Sequence, residues 1–186
     1  MEWWIILIIV IVVILLWVMS TYNGLVALRN RVKDQWAQID VLLKRRADLI
    51  PNLVETVKGY MTHESDTLAK VTELRTAWAG AKTVDEKAKL DNELSNTLKT
   101  IMAVAEAYPD LKANQNFESL QNELTETEDK ISYSRQFYND TVTRYNTKLE
   151  LFPSNIIAGM FHFTAESLFE VDSAEARKNV KVDFNK

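Results

Sequence analysis

The chain has 186 residues, a formal net charge of −4, and only 4 Gly and 3 Pro. That is enough for one domain with a real core, and it lacks the basic balance that a nucleic-acid surface needs. The complete absence of Cys removes disulfides, thiolate metal sites and cysteine catalysis together.

From Trp3 to Met19 every side chain is apolar, and no charge falls between Glu2 and Arg29. About 20 helical residues span ~30 Å, the hydrocarbon thickness of a bilayer. The β-branched content would suit a strand in water, but a single segment in lipid satisfies its backbone only as a helix. Trp3 and Trp4 at one end, with Trp17 and Tyr22 at the other, stand where interfacial aromatic belts sit. The n-region has no Lys or Arg and the apolar run is long for a signal peptide, although Val18-Met19-Ser20 loosely satisfies a small-residue cleavage rule. The expectation is an uncleaved single-pass anchor over residues 1–22, with the lipid bilayer as partner. Arg29, Arg31 and Lys33, then Lys44, Arg45 and Arg46, follow the span and none precedes it. This bias places the C-terminal bulk in the cytoplasm.

Leu25, Leu28, Val32, Trp36, Ile39 and Leu43 then mark one helical face, so the anchor helix is expected to run on into the domain. At Pro51 two readings compete. Asp48 caps a new helix with Pro51 in its first turn, or one long helix kinks; Ile39, Leu43, Ile50, Leu53 and Val57 stay nearly in phase across the site, which favours the kink. Gly80 is a candidate C-cap, Thr83 and Glu86 have capping-box spacing, and Tyr108-Pro109 breaks the next helix. Phe117, Leu124, Ile131, Tyr138, Tyr145 and Phe152 recur every seven residues, predicting a long helix with this bundle seam packed at coiled-coil-like angles. Beyond Pro153, residues 153–170 form an apolar segment whose candidate interface residues are Ile156, Ile157, Met160, Phe161, Phe163 and Phe169. It caps its own bundle or docks on a neighbour or the membrane surface. The polar tail over 171–186 is expected to fray.

These segments resemble the LemA family. The resemblance runs from Tyr22 to about Phe169 and is carried by Tyr22-Asn23, Trp36-Ala37-Gln38-Ile39-Asp40, Leu43-Lys44-Arg45-Arg46, Asp48-Leu49-Ile50-Pro51-Asn52-Leu53, His63-Glu64, Tyr108-Pro109-Asp110-Leu111, Tyr138-Asn139, Tyr145-Asn146 and Phe152-Pro153. It implies a bacterial membrane protein, an antiparallel up-and-down four-helix bundle and no established catalytic activity. It tips the Pro51 question toward four helices, at about 23–47, 49–79, 84–107 and 113–151. Some similar proteins carry a lipobox Cys before the Tyr-Asn pair, which puts their bundle outside the cytoplasm; here that place holds Ser20-Thr21.

The fold class expected is all-α, an anchor helix continuing into a bundle over residues 23–152. His63-Glu64 begins an HExxH-like phrase, but Thr67 stands at the second histidine position, so no zinc pair exists. No phosphate loop or nucleophile elbow occurs, and neither catalysis, a metal nor a cofactor is expected. Tyr138-Asn139 and Tyr145-Asn146 face one way; they form a hydrogen-bonded layer between helices, or a tyrosine core with solvated asparagines. Lys44, Arg45 and Arg46 either meet anionic lipid or pair with the acidic cluster Glu118, Glu123, Glu126, Glu128 and Asp129, with Arg135 nearby in sequence. Pairing is the expectation. Function is read as self-association into a homo-oligomeric scaffold of the bacterial inner membrane. The alternative is an adaptor or signalling module for another membrane protein, such as a protease or sensor.

Overall fold

Pro51 does not reverse the chain. In a computed structural model, which describes residues 3–61 and 63–169, helix α1 runs unbroken from Trp3 to Lys58. The expected division into helices over 23–47 and 49–79 is thereby corrected. Leu43, Ala47, Ile50, Leu53 and Val57 are buried in phase along one face, while Pro51 is exposed. Proline cannot donate to the carbonyl one turn back, which is that of Ala47. That orphaned carbonyl accepts instead from Arg75 Nε at 2.8 Å, so the helix passes the proline with its backbone acceptor satisfied. The chain turns only after Lys58, where Tyr60 and Met61 N–H both donate to the Val57 carbonyl at 2.9 Å.

Helices α2 (Ser65–Gly80), α3 (Val84–Ala105), α4 (Pro109–Lys112), α5 (Gln115–Glu150) and α6 (Ser154–Met160) follow, so the described residues are all-helical with irregular connections. Gly80 ends α2 without a left-handed conformation; the stop is the extended backbone of Ala81, at φ −69° and ψ 136°. The Thr83–Glu86 capping box forms, with Glu86 N–H donating to Thr83 Oγ1 at 3.1 Å and Thr83 N–H to Glu86 Oε2 at 3.2 Å. Asn114 Oδ1 starts α5 by accepting from the N–H groups of Asn116 (2.9 Å) and Phe117 (3.3 Å).

The described residues divide into two compact units, with the boundaries inside α1 and α5. One unit comprises residues 42–131 with Phe169. Its core joins Ile50, Leu53 and Val57 of α1, Leu68, Val71 and Leu74 of α2, Leu94, Leu98 and Ile101 of α3, Leu111 of α4, and Phe117 and Leu124 of α5. The other comprises residues 3–41 and 132–168, with a smaller core of Leu25, Ile157 and Ala158 backed by Val18, Tyr22, Leu149 and Phe163. Its apolar stretch is exposed from Trp3 to Trp17, and α1 contains the one segment among the described residues long and apolar enough to cross a membrane. The tail over 171–186 lies outside the described residues.

The Ala47–Arg75 bond makes a double-mutant prediction. Arg75→Met costs about 1.5–3 kcal/mol in the native background, the range for a hydrogen bond to a charged donor. In a Pro51→Ala background the Ala47 carbonyl regains its helical donor, and the same change costs clearly less. Thermal melts of the four proteins, followed by helical circular dichroism, check this; equal costs in both backgrounds refute it.

Candidate functional site

A charged cluster lies inside the larger unit. Arg46 is 1% exposed and sits on α1 at a position between Leu43 and Ile50 that the apolar stripe would fill. Asp91, fully buried on α3, stands seven residues before Leu98 in the corresponding stripe. Arg46 Nη2 pairs with Asp91 Oδ1. Arg46 Nη1 donates to Glu128 Oε2 and to Ser95 Oγ, both at 2.7 Å, and Ser95 Oγ donates to Glu128 Oε1 at 2.9 Å. Three helices therefore meet on one guanidinium. Burial pushes the Arg46 pKa below its ordinary value, and the Glu128 carboxylate opposes that shift by charge and hydrogen bond.

Thr127 beside it is buried and returns its hydroxyl to the Glu123 carbonyl at 2.7 Å. At the rim, Arg45 approaches Glu123 at 3.9 Å with both side chains half exposed, an ion pair of small energetic weight. Near the far end of the same unit, Tyr108 Oη donates to both Glu64 carboxylate oxygens at 3.0 Å, and this bond raises the phenol pKa. The histidine phrase thus supplies a hydrogen-bond acceptor. Among the described residues no group of three or more His, Asp or Glu is placed to hold a metal.

In the smaller unit, α5 holds the extended segment after α6 by its backbone. Tyr138 Oη donates to the Ser167 carbonyl at 2.8 Å. Asn146 Nδ2 donates to the Glu166 carbonyl at 2.9 Å, and Glu166 N–H donates to Asn146 Oδ1 at 3.0 Å. The partner of this tyrosine and this asparagine is therefore neither a facing helix nor solvent. The tyrosine core of one expected reading is present, since Tyr138 and Tyr145 are buried; neither reading foresaw that the chain's own extended segment lies alongside. Tyr138 also tilts against Trp36, ring centroids 5.8 Å apart. Tyr145 is fully buried, and its hydroxyl finds no hydrogen-bond partner among the described residues. Burial, and then the Glu166 charge, raise its pKa against the opposing pull of Arg29.

The LemA family profile matches residues 35–184, most of the chain and all of the charged cluster. The chain belongs to the LemA family. Protein LemA of Metamycoplasma hominis is 25% identical over 155 residues, covering 82% of this chain and 70% of that protein. Magnetosome protein MamQ 2 of Paramagnetospirillum magneticum is 24% identical over 179 residues, covering 82% of this chain and 66% of its own length. Magnetosome protein MamQ of Magnetospirillum gryphiswaldense is 20% identical over 178 residues, with 65% of its length covered. The chain thus spans slightly less than two thirds of these magnetosome relatives. None of these names denotes an enzyme activity.

The sequence-derived positions of this LemA-family chain fall as follows. Trp3, Trp4 and Trp17 are exposed along α1, and Tyr22 packs under the rings of Phe161 and Phe163. Along the seven-residue seam Phe117, Leu124, Ile131, Tyr138 and Tyr145 are buried. Phe152 is not: it lies past the end of α5 and is 80% exposed, because the helix stops at Glu150 before the repeat returns. Of the candidate interface residues, Ile157 and Phe169 are buried and Phe163 is half-buried, while Ile156, Met160 and Phe161 are exposed. Arg46 and Glu128 meet; Arg135 belongs to the other unit. Asp91 and Ser95 escaped the sequence reading, although a charge interrupting the α3 stripe at position 91 was a visible signal.

Arg46→Met leaves Asp91 buried without this cation and is expected to cost about 3–5 kcal/mol, whereas Arg46→Met with Asp91→Leu recovers most of the loss. Melting temperatures in mild detergent check the order native ≈ double > single; a single variant as stable as the native chain refutes it. Tyr145→Phe tests the buried phenol. The folded pKa is raised, so its contribution is fully present below the unfolded pKa of about 10 and is lost as pH rises beyond it. The variant is expected to match or exceed native stability at pH 7, by up to ~1 kcal/mol, and to lose less between pH 9 and pH 11. Parallel alkaline melts of both proteins refute this reading of the phenol.

Proposed function

We propose that this LemA-family chain is a single-pass, membrane-anchored helical bundle that self-associates into a homo-oligomeric assembly with a structural role. The bundle is an antiparallel one of α1, α2, α3 and α5; the core those four helices share in the larger unit supports it. Anchoring is supported by an apolar stretch exposed along its length on a helix that runs on into the domain, and by relatives named as magnetosome proteins. The cations after the stretch support a bundle on the cytoplasmic side of a bacterial inner membrane.

Self-association is carried by one observation. Tyr133 and Phe137, one turn apart on α5, are 67% and 63% exposed. Aromatics displayed as a pair on a helix face are what interfaces use as anchors. They lie off the buried seam, so the bundle's own packing does not need them. The occupant is a second copy of this chain.

Extracted gently from its membrane, the protein is expected to give a protein mass many times that of one chain by light scattering with detergent correction. Tyr133→Asp with Phe137→Asp is expected to lower that mass while leaving the helical circular dichroism unchanged. A monodisperse native monomer refutes self-association. A foreign membrane protein retained in fixed ratio after crosslinking favours the adaptor reading.

A further inference from the structure

Between Glu150 and Glu166 the chain carries no Asp, Glu, Lys or Arg. Within that stretch Leu151, Phe152, Ile156, Met160 and Phe161 are large, apolar and exposed. Soluble surfaces scatter such residues singly; gathered in one corner they call for a cover. The corner is also firmly held. Ser154 Oγ donates to the carbonyls of Lys148 (2.7 Å) and Leu151 (2.9 Å), closing the end of α5. Ile157 and Ala158 are buried against Leu25. After α6, Phe163 N–H returns to the Ala158 carbonyl at 2.9 Å while His162 takes a positive φ of 55°. The exposed set is thus displayed on a fixed support.

Its place in the unit says what covers it. The Phe161 ring lies 4.7 Å from that of Tyr22 and lines one apolar groove of about 530 Å³ with Val12, Leu15, Leu16 and Met19. The corner therefore stands level with the last turns of the apolar stretch, and what surrounds those turns also surrounds it. Cations gather just beyond that level. Lys148 Nζ comes within 3.8 Å of where a Cβ on Gly24 would sit, and the Arg29 guanidinium lies 5.1 Å from the Phe163 ring centroid. Aromatics at the boundary with cations behind them match the layering of acyl chain and headgroup phosphate.

We propose that the corner from Leu151 to Phe163 is a second membrane contact, seated ~5–10 Å into the headgroup–acyl boundary of the leaflet through which α1 leaves the bilayer. This rests on the reading of the apolar stretch as a membrane span. Two contacts on one rigid unit set the rotation and tilt of α1, which a lone span leaves to its neighbours.

The absence of Cys allows single-cysteine labelling of the full chain in phosphatidylcholine–phosphatidylglycerol vesicles. A bimane fluorophore is placed by Phe152→Cys, Ile156→Cys or Met160→Cys, with Val10→Cys and Met19→Cys as depth references and Val41→Cys, at an exposed position of α1, as the control outside the corner. Lipids brominated on the acyl chains are expected to reduce emission at 152, 156 and 160 as they do at 19, and to leave 41 unchanged. Quenching at 10 and 19 without quenching in the corner overturns this proposal alone, whether the corner is open to aqueous iodide or shielded from both reagents by a second copy. No quenching at 10 overturns the membrane-span reading and this proposal with it.

Discussion

The carbonyl of Ala47 accepts a hydrogen bond from Arg75, and the reach of α1 depends on it. Were that acceptor left bare in a packed interior, the helix would tend to end at or before the residue preceding Pro51. Ile50, Leu53 and Val57 would then enter the core, if at all, from a different element. With the bond in place one helix serves two surroundings. From Trp3 to Trp17 it is apolar on all sides and exposed. From Leu25 onward it is apolar on one side only, with Leu25, Val32, Ile39, Arg46 and Leu53 buried at intervals of seven. The change from all-round to one-sided apolarity happens without a break in the backbone.

What the sequence made legible follows from where local chemistry suffices. The apolar stretch, the Thr83 capping box, the break at Pro109 and the period-seven positions on α5 are each set by neighbours within a few turns. Pro51 was not, because its outcome hangs on Arg75, a donor 28 residues from the Ala47 carbonyl that no local pattern points to. The phase of the buried stripe argued for one helix; the family resemblance pulled the reading toward two, and the phase was the better guide. Phe152 failed for the opposite reason. A repeat of seven continues in sequence past the point where the helix carrying it has ended.

The Tyr-Asn repeats show a further limit. Their spacing says that two pairs face one way, which α5 respects, but spacing cannot name what they face. Two of their side chains, Tyr138 and Asn146, hold the backbone of residues 166 and 167. Backbone groups look alike in any sequence, so recognition of this kind leaves no complementary signature at the other end. The same bonds tie down the chain beyond α6, on the far side of the apolar corner from Ser154, so that the corner is held at both ends.

The buried arginine is best understood against that repetition. Helices whose apolar positions return every seven residues can slide past one another by two turns, about 10.5 Å, and present a similar surface again. Leucine, isoleucine and valine do little to forbid such a slip, because the side chain arriving resembles the one departing. Arg46 forbids it: seven residues either way lie Ile39 and Leu53, neither of which can answer the charge of Asp91 or Glu128. Replacing the pair by well-packed apolar side chains would cost little stability, since the desolvation of the ions offsets most of their attraction. A displaced register loses more, because a slip separates the buried Arg46 guanidinium from the buried Asp91 carboxylate. On this argument the cluster contributes less to how tightly the larger unit holds than to which single register it holds.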